Sequence, residues 1–246
     1  MKLAILTDIH ANREAFEAVL ADAALRGAER IVILGDLVGY GPDPEWCIDM
    51  AGRLVAEGAI CIRGNHDNAA IGGAEAMGGL ARRAMEWTLP RIGDAHRAFL
   101  AGREMTAAFD DVLCVHASVN EPGAWTYVTS DTKATGSFRS CTARLIFCGH
   151  VHVPLLASCD IAGMVREQTF RMATPIPLIR SRRWLAVVGA VGQPRDGVAQ
   201  AGYAMLDLGA NELTFRRVPY DMGPTVQKIR AAGLPEELAL RLLRGR

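Results

Sequence analysis

Five short apolar segments divide the first 150 residues of this chain, and they limit what it can fold into. Each is about four residues long and mostly apolar, which is typical of strands buried on both faces. They occupy residues 3–6, 31–34, 59–62, 112–115 and 145–148. Helical patterns separate several of them, most clearly over residues 12–25 and 44–55. This strand–helix–strand order predicts right-handed crossovers and a largely parallel central sheet.

The predicted helices carry recognisable end signals. Asn12 is a plausible N-cap for the first helix and Gly27 a plausible stop, while Pro44 lies near the first turn of the second. Residues 69–103 then predict a helical insertion between two core strands, with helices around 80–89 and 92–100. The insertion separates the third apolar segment from the fourth.

A different pattern follows residue 152. Residues 153–158 and 164–172 flank a turn at 160–163 and predict a hairpin. Residues 185–188, 201–208 and 212–218 predict further strands, and a helical C-terminus begins at Pro224. Because no repeat or linker interrupts the chain, we predict an α/β protein with one domain, residues 1–246, and two packed sheets.

The charge balance narrows the classes of partner. The chain has 27 lysines and arginines and 27 aspartates and glutamates, so its formal net charge is zero. This disfavours broad nucleic-acid binding, which needs many cationic contacts to phosphates. A small phosphorylated substrate remains compatible, because a metal centre supplies its own positive charge.

The chain shows no sign of export or membrane insertion. The N-terminal apolar run is too short for a signal peptide, and no segment reaches the ~18 apolar residues of a spanning helix. The six cysteines are widely spaced, which predicts reduced thiols rather than a disulfide framework. We therefore expect a cytoplasmic protein without a membrane partner. The sequence is compatible with a homo-oligomer.

Each of the five apolar segments is followed closely by polar side chains. In chain order these are Asp8 and His10, Asp36, Asn65 and His66, His116, and His150 and His152. Sites in open α/β sheets form outside the carboxyl ends of the strands, so these groups should converge. Each fragment alone also suits an ordinary turn or a core histidine. Five such coincidences in one chain instead predict a shared site.

The types of ligand limit the metal. Carboxylate, imidazole and amide ligands without thiolate suit Mn²⁺, Fe, Zn²⁺ or Co²⁺ rather than Ca²⁺ or a cysteine-type structural zinc. Seven protein ligands exceed what one tetrahedral ion needs, and a carboxylate can bridge two ions. Two metals ~3.5–4 Å apart with a hydroxide between them are an established arrangement for in-line attack on phosphorus. The sequence therefore predicts a two-metal phosphoesterase.

The motifs in their order, DxH, GD, GNHD, H and GHxH over residues 3–152, resemble the calcineurin-like metallophosphoesterase superfamily. Softer similarities at 35–42, 191–196, 218–221 and 232–235 resemble its small bacterial YfcE-like phosphodiesterase group. The resemblance implies a four-layer α/β/β/α sandwich with two mixed sheets. It also implies two divalent metal ions, with Mn²⁺ expected first and Fe, Zn²⁺, Co²⁺ or Ni²⁺ as alternatives.

The resemblance also assigns roles to the polar residues. The first metal would be held by Asp8, His10 and His152, and the second by Asn65, His116 and His150. Asp36 would bridge both metals. His66 would be the general acid, because the departing alkoxide needs a proton. Asp67 is expected to cap or orient the turn.

Four further residues are candidates for contact with substrate. Arg63 can bind a phosphoryl oxygen through two hydrogen bonds, and Tyr40 can line the pocket. Asn12 suits a phosphate contact or a helix cap. Arg195 lies near the site or supports a turn, and the sequence leaves both open.

Two departures from the family narrow the substrate. Gly39 and Tyr40 replace the aspartate and arginine of the GDxVDRG motif of protein serine/threonine phosphatases, which argues against phosphoprotein substrates. Residues 188–192 lack the asparagine and serine usual in relatives. We expect hydrolysis of phosphodiesters or phosphomonoesters of small substrates, nucleotides included, by a metal-bridging hydroxide. The alternatives are a symmetric diadenosine-tetraphosphate hydrolase and a non-catalytic scaffold with this fold.

Overall fold

The computed structural model describes the chain from Met1 to Arg246, apart from the side chain of Ala76. Its strands, numbered β1 to β12, are Lys2–Leu6, Arg30–Ile33, Ile60–Cys61, Thr106–Phe109, Val112–Val115, Leu145–Cys148, Leu155–Cys159, Val165–Glu167, Ile176–Pro177, Arg183–Val187, Ala201–Asp207 and Glu212–Val218. Its α-helices, α1 to α8, are Arg13–Leu25, Pro44–Ala56, Asn65–Asn68, Gly79–Thr88, Asp94–Ala101, Asp131–Arg139, Gly223–Ala231 and Glu236–Arg244. Short helical turns at Ala69–Gly73, Ala74–Ala76 and Pro122–Ala124 complete the elements.

The strands form two mixed sheets of six strands each. The first has the order β3-β2-β1-β11-β12-β9, and the second has the order β4-β5-β6-β10-β7-β8. Neighbours are parallel among β1, β2 and β3 and among β5, β6 and β10, and the remaining pairs are antiparallel. The predicted parallel pairing is present among these strands, but it is divided between two mixed sheets instead of forming a single central sheet. Three of the five apolar segments lie in one sheet and two in the other.

The two sheets pack face to face between outer layers of helices. In β1, Leu3 and Ile5 join a core that also contains Phe147 of the second sheet. Ala4 and Leu6 point the other way, into a core shared with α1 and α2. Helix α6 covers the outer face of the second sheet. Side chains alternate between faces along a strand, so each strand serves two cores. The predicted α/β/β/α arrangement with two mixed sheets is confirmed.

The helix ends follow local chemistry. The side chain of Asn12 accepts a hydrogen bond from the amide of Ala15 and caps α1, and Pro44 opens α2. Gly27 follows α1 with a φ of 74°, a conformation that glycine adopts without steric cost. The prediction omitted β4, β9, α3 and α6. None of the described helices is both long and apolar enough to cross a membrane.

Candidate metal centre

Seven polar side chains converge where the strands of the two sheets end. Asp8 and His10 follow β1, Asp36 follows β2, His116 follows β5, His150 and His152 follow β6, and Asn65 opens α3. The amide of His150 donates to Oδ2 of Asp8 at 2.9 Å and so links the ends of β6 and β1. The structure therefore brings together all seven residues predicted as ligands, across both sheets.

One group of ligand atoms gathers around Asp8. Its Oδ1 lies 3.2 Å from Nε2 of His152 and 3.7 Å from Nε2 of His10, and these two nitrogens are 3.2 Å apart. All three residues are buried. Two atoms that each lie about 2.0–2.2 Å from one tetrahedral metal ion are separated from each other by distances like those measured in this group. The group therefore fits a single ion.

A second group gathers around His116. Its Nε2 lies 3.1 Å from Oδ1 of Asn65 and 3.2 Å from Nδ1 of His150. Oδ2 of Asp36 lies 3.4 Å from the same Nε2. Together with His116, the residues Asn65, His150 and Asp36 form a second set with the spacing of metal ligands.

Asp36 stands between the two groups. Its Oδ2 is 3.4 Å from Nε2 of His116 in the second group and 3.7 Å from Nε2 of His10 in the first. Its other oxygen, Oδ1, accepts a hydrogen bond of 2.8 Å from the amide of His66. One carboxylate oxygen therefore faces both sets of ligands while the other holds the carboxylate in position.

The donor set fits the metals that the sequence implies. Oδ1 of Asp8 is fully buried and has no hydrogen-bond partner among the described atoms. An ionised oxygen without a partner carries a large desolvation cost, which a bound cation removes. Oδ2 of the same carboxylate accepts from Thr7 and from the amide of His150, both at 2.9 Å. Asp8 is thus oriented with its free oxygen toward the metal ligands.

Backbone carbonyls orient three of the histidines. In each of them, Nδ1 lies within hydrogen-bond distance of a backbone carbonyl oxygen. The distance is 3.1 Å from His10 to the oxygen of Val38, 2.8 Å from His116 to that of Leu34, and 2.6 Å from His152 to that of Gln193. A proton held on Nδ1 leaves the lone pair of Nε2 for a metal. This arrangement is the usual support of metal-binding histidines.

The backbone at the ligands is strained. Five of the seven have positive φ angles between 48° and 66°: Asp8, His10, Asp36, His150 and His152. Residues other than glycine rarely adopt this left-handed conformation, and each instance costs about 1–3 kcal/mol. Strain of this kind concentrates at functional sites, where the surrounding structure maintains it.

Gly149 illustrates how tightly the strand ends approach one another. A Cβ placed there would lie 1.9 Å from Oγ1 of Thr7 and 2.7 Å from Oδ2 of Asp8. We expect Gly149→Ala to displace Asp8, to weaken metal binding and to lower stability by about 1–3 kcal/mol, measured by metal titration and thermal unfolding. Gly136→Ala is the control, because it lies within α6 with nothing within 4 Å of the new Cβ. Equal metal affinity in both variants would contradict the expectation.

The buried charges shift one another's ionisation in the metal-free protein. Burial on its own would raise the carboxyl pKa values, yet the surrounding histidines hold the pKa of Asp8 and of Asp36 below the usual range. Burial would likewise lower the pKa of His116, but the carboxylates of Asp36 and Asp8 raise it to about 9. Burial lowers the pKa of His150 to about 4. The metal-free centre thus combines ionised carboxylates, the neutral imidazole of His150 and the protonated imidazole of His116, from which metal ions would displace the proton.

His66 and Asp67 occupy the turn that opens α3. The carboxylate of Asp67 accepts hydrogen bonds from the amides of Asp36 at 2.8 Å, Leu37 at 2.9 Å and Gly64 at 3.0 Å. It therefore ties this turn to the end of β2, the orienting role expected from the sequence. His66 is buried, and its Nδ1 has no hydrogen-bond partner among the described atoms.

A cleft of about 230 Å³ opens onto the two groups of ligands. Tyr40 and His66 line it, with ring centroids 4.6 Å apart, so the predicted position of Tyr40 in the pocket agrees with the structure. Arg195 lines the cleft as well, and its guanidinium carbon lies 5.6 Å from the centroid of the Tyr40 ring.

Two residues predicted to bind substrate lie elsewhere. Arg63 is not among the described residues that line the cleft, and its Nη1 is 3.5 Å from the carbonyl oxygen of Ala101. Asn12 is buried, and its amide is fully used: Oδ1 accepts from Ala15 and Thr225, and Nδ2 donates to Gly192 and Tyr220. Of the two roles expected for Asn12, the structure shows the helix cap, and Arg63 is placed at the carbonyl of Ala101 rather than in the lining of the cleft.

Comparison with known proteins agrees with this geometry. The model of the calcineurin-like phosphoesterase superfamily domain matches residues 1–211. The uncharacterised protein MJ0912 of Methanocaldococcus jannaschii is 32% identical over 250 residues, which cover 99% of this chain and 98% of that protein. Phosphodiesterase YfcE of Escherichia coli is 43% identical over 75 residues, which cover 28% of this chain and 41% of YfcE.

A solved structure is also similar along the whole chain. The crystal structure of a metallophosphoesterase from Sphaerobacter thermophilus superposes with a TM-score of 0.87 at 34% sequence identity, and the match covers 100% of both chains. That similarity includes both sheets and the strand ends that carry the ligands. The chain belongs to the calcineurin-like phosphoesterase superfamily.

Proposed function

We propose that this protein is a two-metal phosphoesterase that hydrolyses phosphodiester or phosphomonoester bonds of small substrates, nucleotides included. The observation that carries the proposal is the position of Asp36. One oxygen of its carboxylate faces ligand nitrogens of two separate groups, at 3.4 and 3.7 Å. An arrangement in which two ligand sets share one carboxylate suits two ions rather than one.

The proposed division of ligands is the one that the family resemblance implies. Asp8, His10 and His152 hold one ion, and Asn65, His116 and His150 hold the other, with Asp36 shared between them. We propose Mn²⁺ as the working metal, because oxygen and imidazole donors without thiolate suit it; Fe, Zn²⁺, Co²⁺ and Ni²⁺ share much of this preference. When bound, two such ions activate water and neutralise charge on the phosphoryl group.

The side chains that line the cleft supply the remaining chemistry. His66 lies beside the ligands, with its ring centroid 4.7 Å from that of His10, and supplies a proton or a hydrogen bond to the departing oxygen. Arg195 donates to Oε1 of Gln193 at 2.9 Å. The neighbouring carboxylate of Asp196 pairs with Arg217 instead, which leaves Arg195 able to bind a phosphoryl oxygen.

A screen of substrates tests this function. Protein freed of metal by a chelator and reconstituted with Mn²⁺ is assayed on phosphomonoesters, cyclic nucleotides, dinucleoside polyphosphates and linear diesters. We expect metal-dependent hydrolysis in at least one class. Preference for dinucleoside polyphosphates would favour the diadenosine-tetraphosphate alternative. Two bound metal ions without any turnover would favour the non-catalytic scaffold.

The contrast between two arginines gives a sharper test. We expect Arg195→Ala to raise KM about tenfold or more, because a hydrogen bond to a charged group contributes about 1.5–3 kcal/mol. Arg63→Ala, the matched control, should change KM less than about twofold, since its guanidinium lies at the carbonyl of Ala101. Steady-state kinetics on one phosphoester measure both. A large effect of Arg63→Ala with none of Arg195→Ala would restore the role that the sequence suggested.

A further inference from the structure

Two aromatic side chains project into the cleft beside the ligands of the second group. Tyr127 stacks on the ring of His150, with centroids 4.1 Å apart and planes inclined by 19°. Trp125 meets His116 edge-on, at 5.8 Å and 73°. Both line the cleft, and Tyr127 is 49% exposed. One wall of the cleft is therefore an aromatic surface in contact with two proposed metal ligands.

The loop between β5 and α6 holds this surface in place. Val128 is buried in the core beneath α6, and Ser130 caps the helix by accepting a hydrogen bond from the amide of Lys133. Glu121 and Trp125 have left-handed φ angles of 54° and 53°. Non-glycine residues hold that conformation only at an energetic cost. The loop thus keeps Trp125 and Tyr127 at the cleft although both leave apolar surface exposed.

The rest of the cleft carries polar and charged side chains as well as apolar ones. Asn68, Met77 and Arg195 line it together with Tyr40. An amide can hydrogen-bond to the edge of a planar ring, and an arginine can bind a phosphate. A ligand with a flat aromatic part and an anionic part complements such a cleft, whereas a purely aliphatic chain would offer no acceptor to the amide and no negative charge to the guanidinium.

We propose that Trp125 and Tyr127 bind the nucleobase of a nucleotide substrate and thereby select nucleoside phosphoesters over phosphoesters of bare sugars. This inference rests on the proposed function and names its substrate class. A base placed on the open face of Tyr127 would extend the stack that begins at His150. Its phosphate would then lie toward the metal ligands. Stacking on aromatic side chains tolerates different bases, so selection acts on the presence of a base more than on its identity.

Binding measurements test the inference without relying on turnover. Adenosine 5′-monophosphate and ribose 5-phosphate, each used as its non-hydrolysable methylenephosphonate analogue so that the protein cannot turn it over, carry the same anionic group and differ by the base. Calorimetric titration of each into Mn²⁺-loaded protein should show at least about tenfold tighter binding of the nucleotide, as expected for one stacked base. The nucleotide should also quench the fluorescence of Trp125, a signal that Trp125→Phe removes.

Variants separate stacking from support of the metal ligand. Tyr127→Ala should weaken binding of the nucleotide about tenfold and leave binding of ribose 5-phosphate within twofold, whereas Tyr127→Phe should retain nucleotide binding. Ile161→Ala is the control, since it removes an exposed apolar side chain at the distant hairpin between β7 and β8. Metal content is measured for every variant.

The possible results are distinct. Equal binding of nucleotide and sugar phosphate by the wild-type protein overturns the inference. So does an equal loss of both ligands in Tyr127→Ala with reduced metal content, because the tyrosine would then only position His150. Hydrolysis without base selectivity leaves the proposed function intact and removes this inference. Selective nucleotide binding without hydrolysis supports the inference and contradicts the proposed function.

Discussion

Replacing Asp36 with alanine is expected to release the metal ions and to abolish phosphoester hydrolysis. The substitution removes the one carboxylate oxygen that faces both His10 and His116, at 3.7 and 3.4 Å. It also removes the acceptor of the amide of His66. Loss of residues that merely support metal ligands costs about 10–100-fold in affinity, so loss of the shared ligand should cost at least about 100-fold. Metal analysis by mass spectrometry and hydrolysis of bis-p-nitrophenyl phosphate measure the two effects.

A second substitution separates charge from shape. Asp36→Asn keeps an oxygen that can accept from the amide of His66 but cannot supply a negative charge to two cations. We expect it to fold with near-normal thermal stability and still to bind the metals at least about 100-fold more weakly. Asp111→Ala is the control, because that carboxylate pairs with Arg144 away from the cleft. Full activity in Asp36→Ala, or in metal-free protein, would refute the two-metal mechanism.

The positions of the proposed ligands were predictable because they depend on local chain geometry. Asp8, Asp36 and His116 each follow a buried strand by one to three residues, and the ends of such strands meet at one edge of the fold. Capping was predictable for the same reason: Asn12 precedes α1 directly and bonds to an amide three residues on. In both cases the residues concerned are neighbours in sequence, and short-range rules apply.

The pairing of the strands was not predictable in this way. The apolar segments that became β1, β2 and β3 and those that became β5 and β6 are alike in length and hydrophobicity. Their assignment to two sheets depends on contacts between distant segments, such as β1 with β11. Hydrophobic periodicity identifies which face of a strand is buried and does not identify the neighbouring strand.

The position of Arg63 was not predictable for a similar reason. Arg63 adjoins Gly64 and Asn65 in sequence, which suggested a place in the site. Its amide donates to the carbonyl of Glu104, and its Nη1 lies 3.5 Å from the carbonyl oxygen of Ala101 at the end of α5. Arg195 is more than 40 residues from any proposed ligand, yet its amide bonds to the carbonyl of His152. Tertiary contacts therefore decide which arginine lines the cleft.

The aromatic surface formed by Trp125 and Tyr127 was not predicted, because no sequence motif marks it. Trp125 and Tyr127 lie in a loop whose sequence shows no periodicity, and their position depends on burial of Val128 and on the contacts with His116 and His150. A loop between two core elements is where substrate specificity commonly lies, because loops vary while the scaffold that positions them does not. The proposed ligands thus support the proposed reaction, and the loop supports the proposed substrate class.

Replacement of His66 by alanine should retain both metal ions and lose most turnover of substrates with poor leaving groups. The imidazole lines the cleft and has a ring nitrogen within 4.8 Å of ligand atoms of His10 and Asp36, but we assign it to neither of the two proposed ligand sets. Burial lowers its pKa to about 4, so in the free protein it is neutral at pH 7 and carries one N–H. A phosphate anion bound beside the ring would raise this pKa and allow full proton transfer.

The size of the loss should depend on the leaving group. An alkoxide needs a proton as the bond to phosphorus breaks, and a positioned general acid contributes about 10²–10⁴-fold. p-Nitrophenolate leaves without protonation, so hydrolysis of aryl esters by His66→Ala should fall far less. Comparing kcat for an alkyl and an aryl ester of the same phosphodiester class, with metal content measured in parallel, tests this. Equal losses for both esters would show that His66 positions the substrate or Asp36 and that the proton comes from another group.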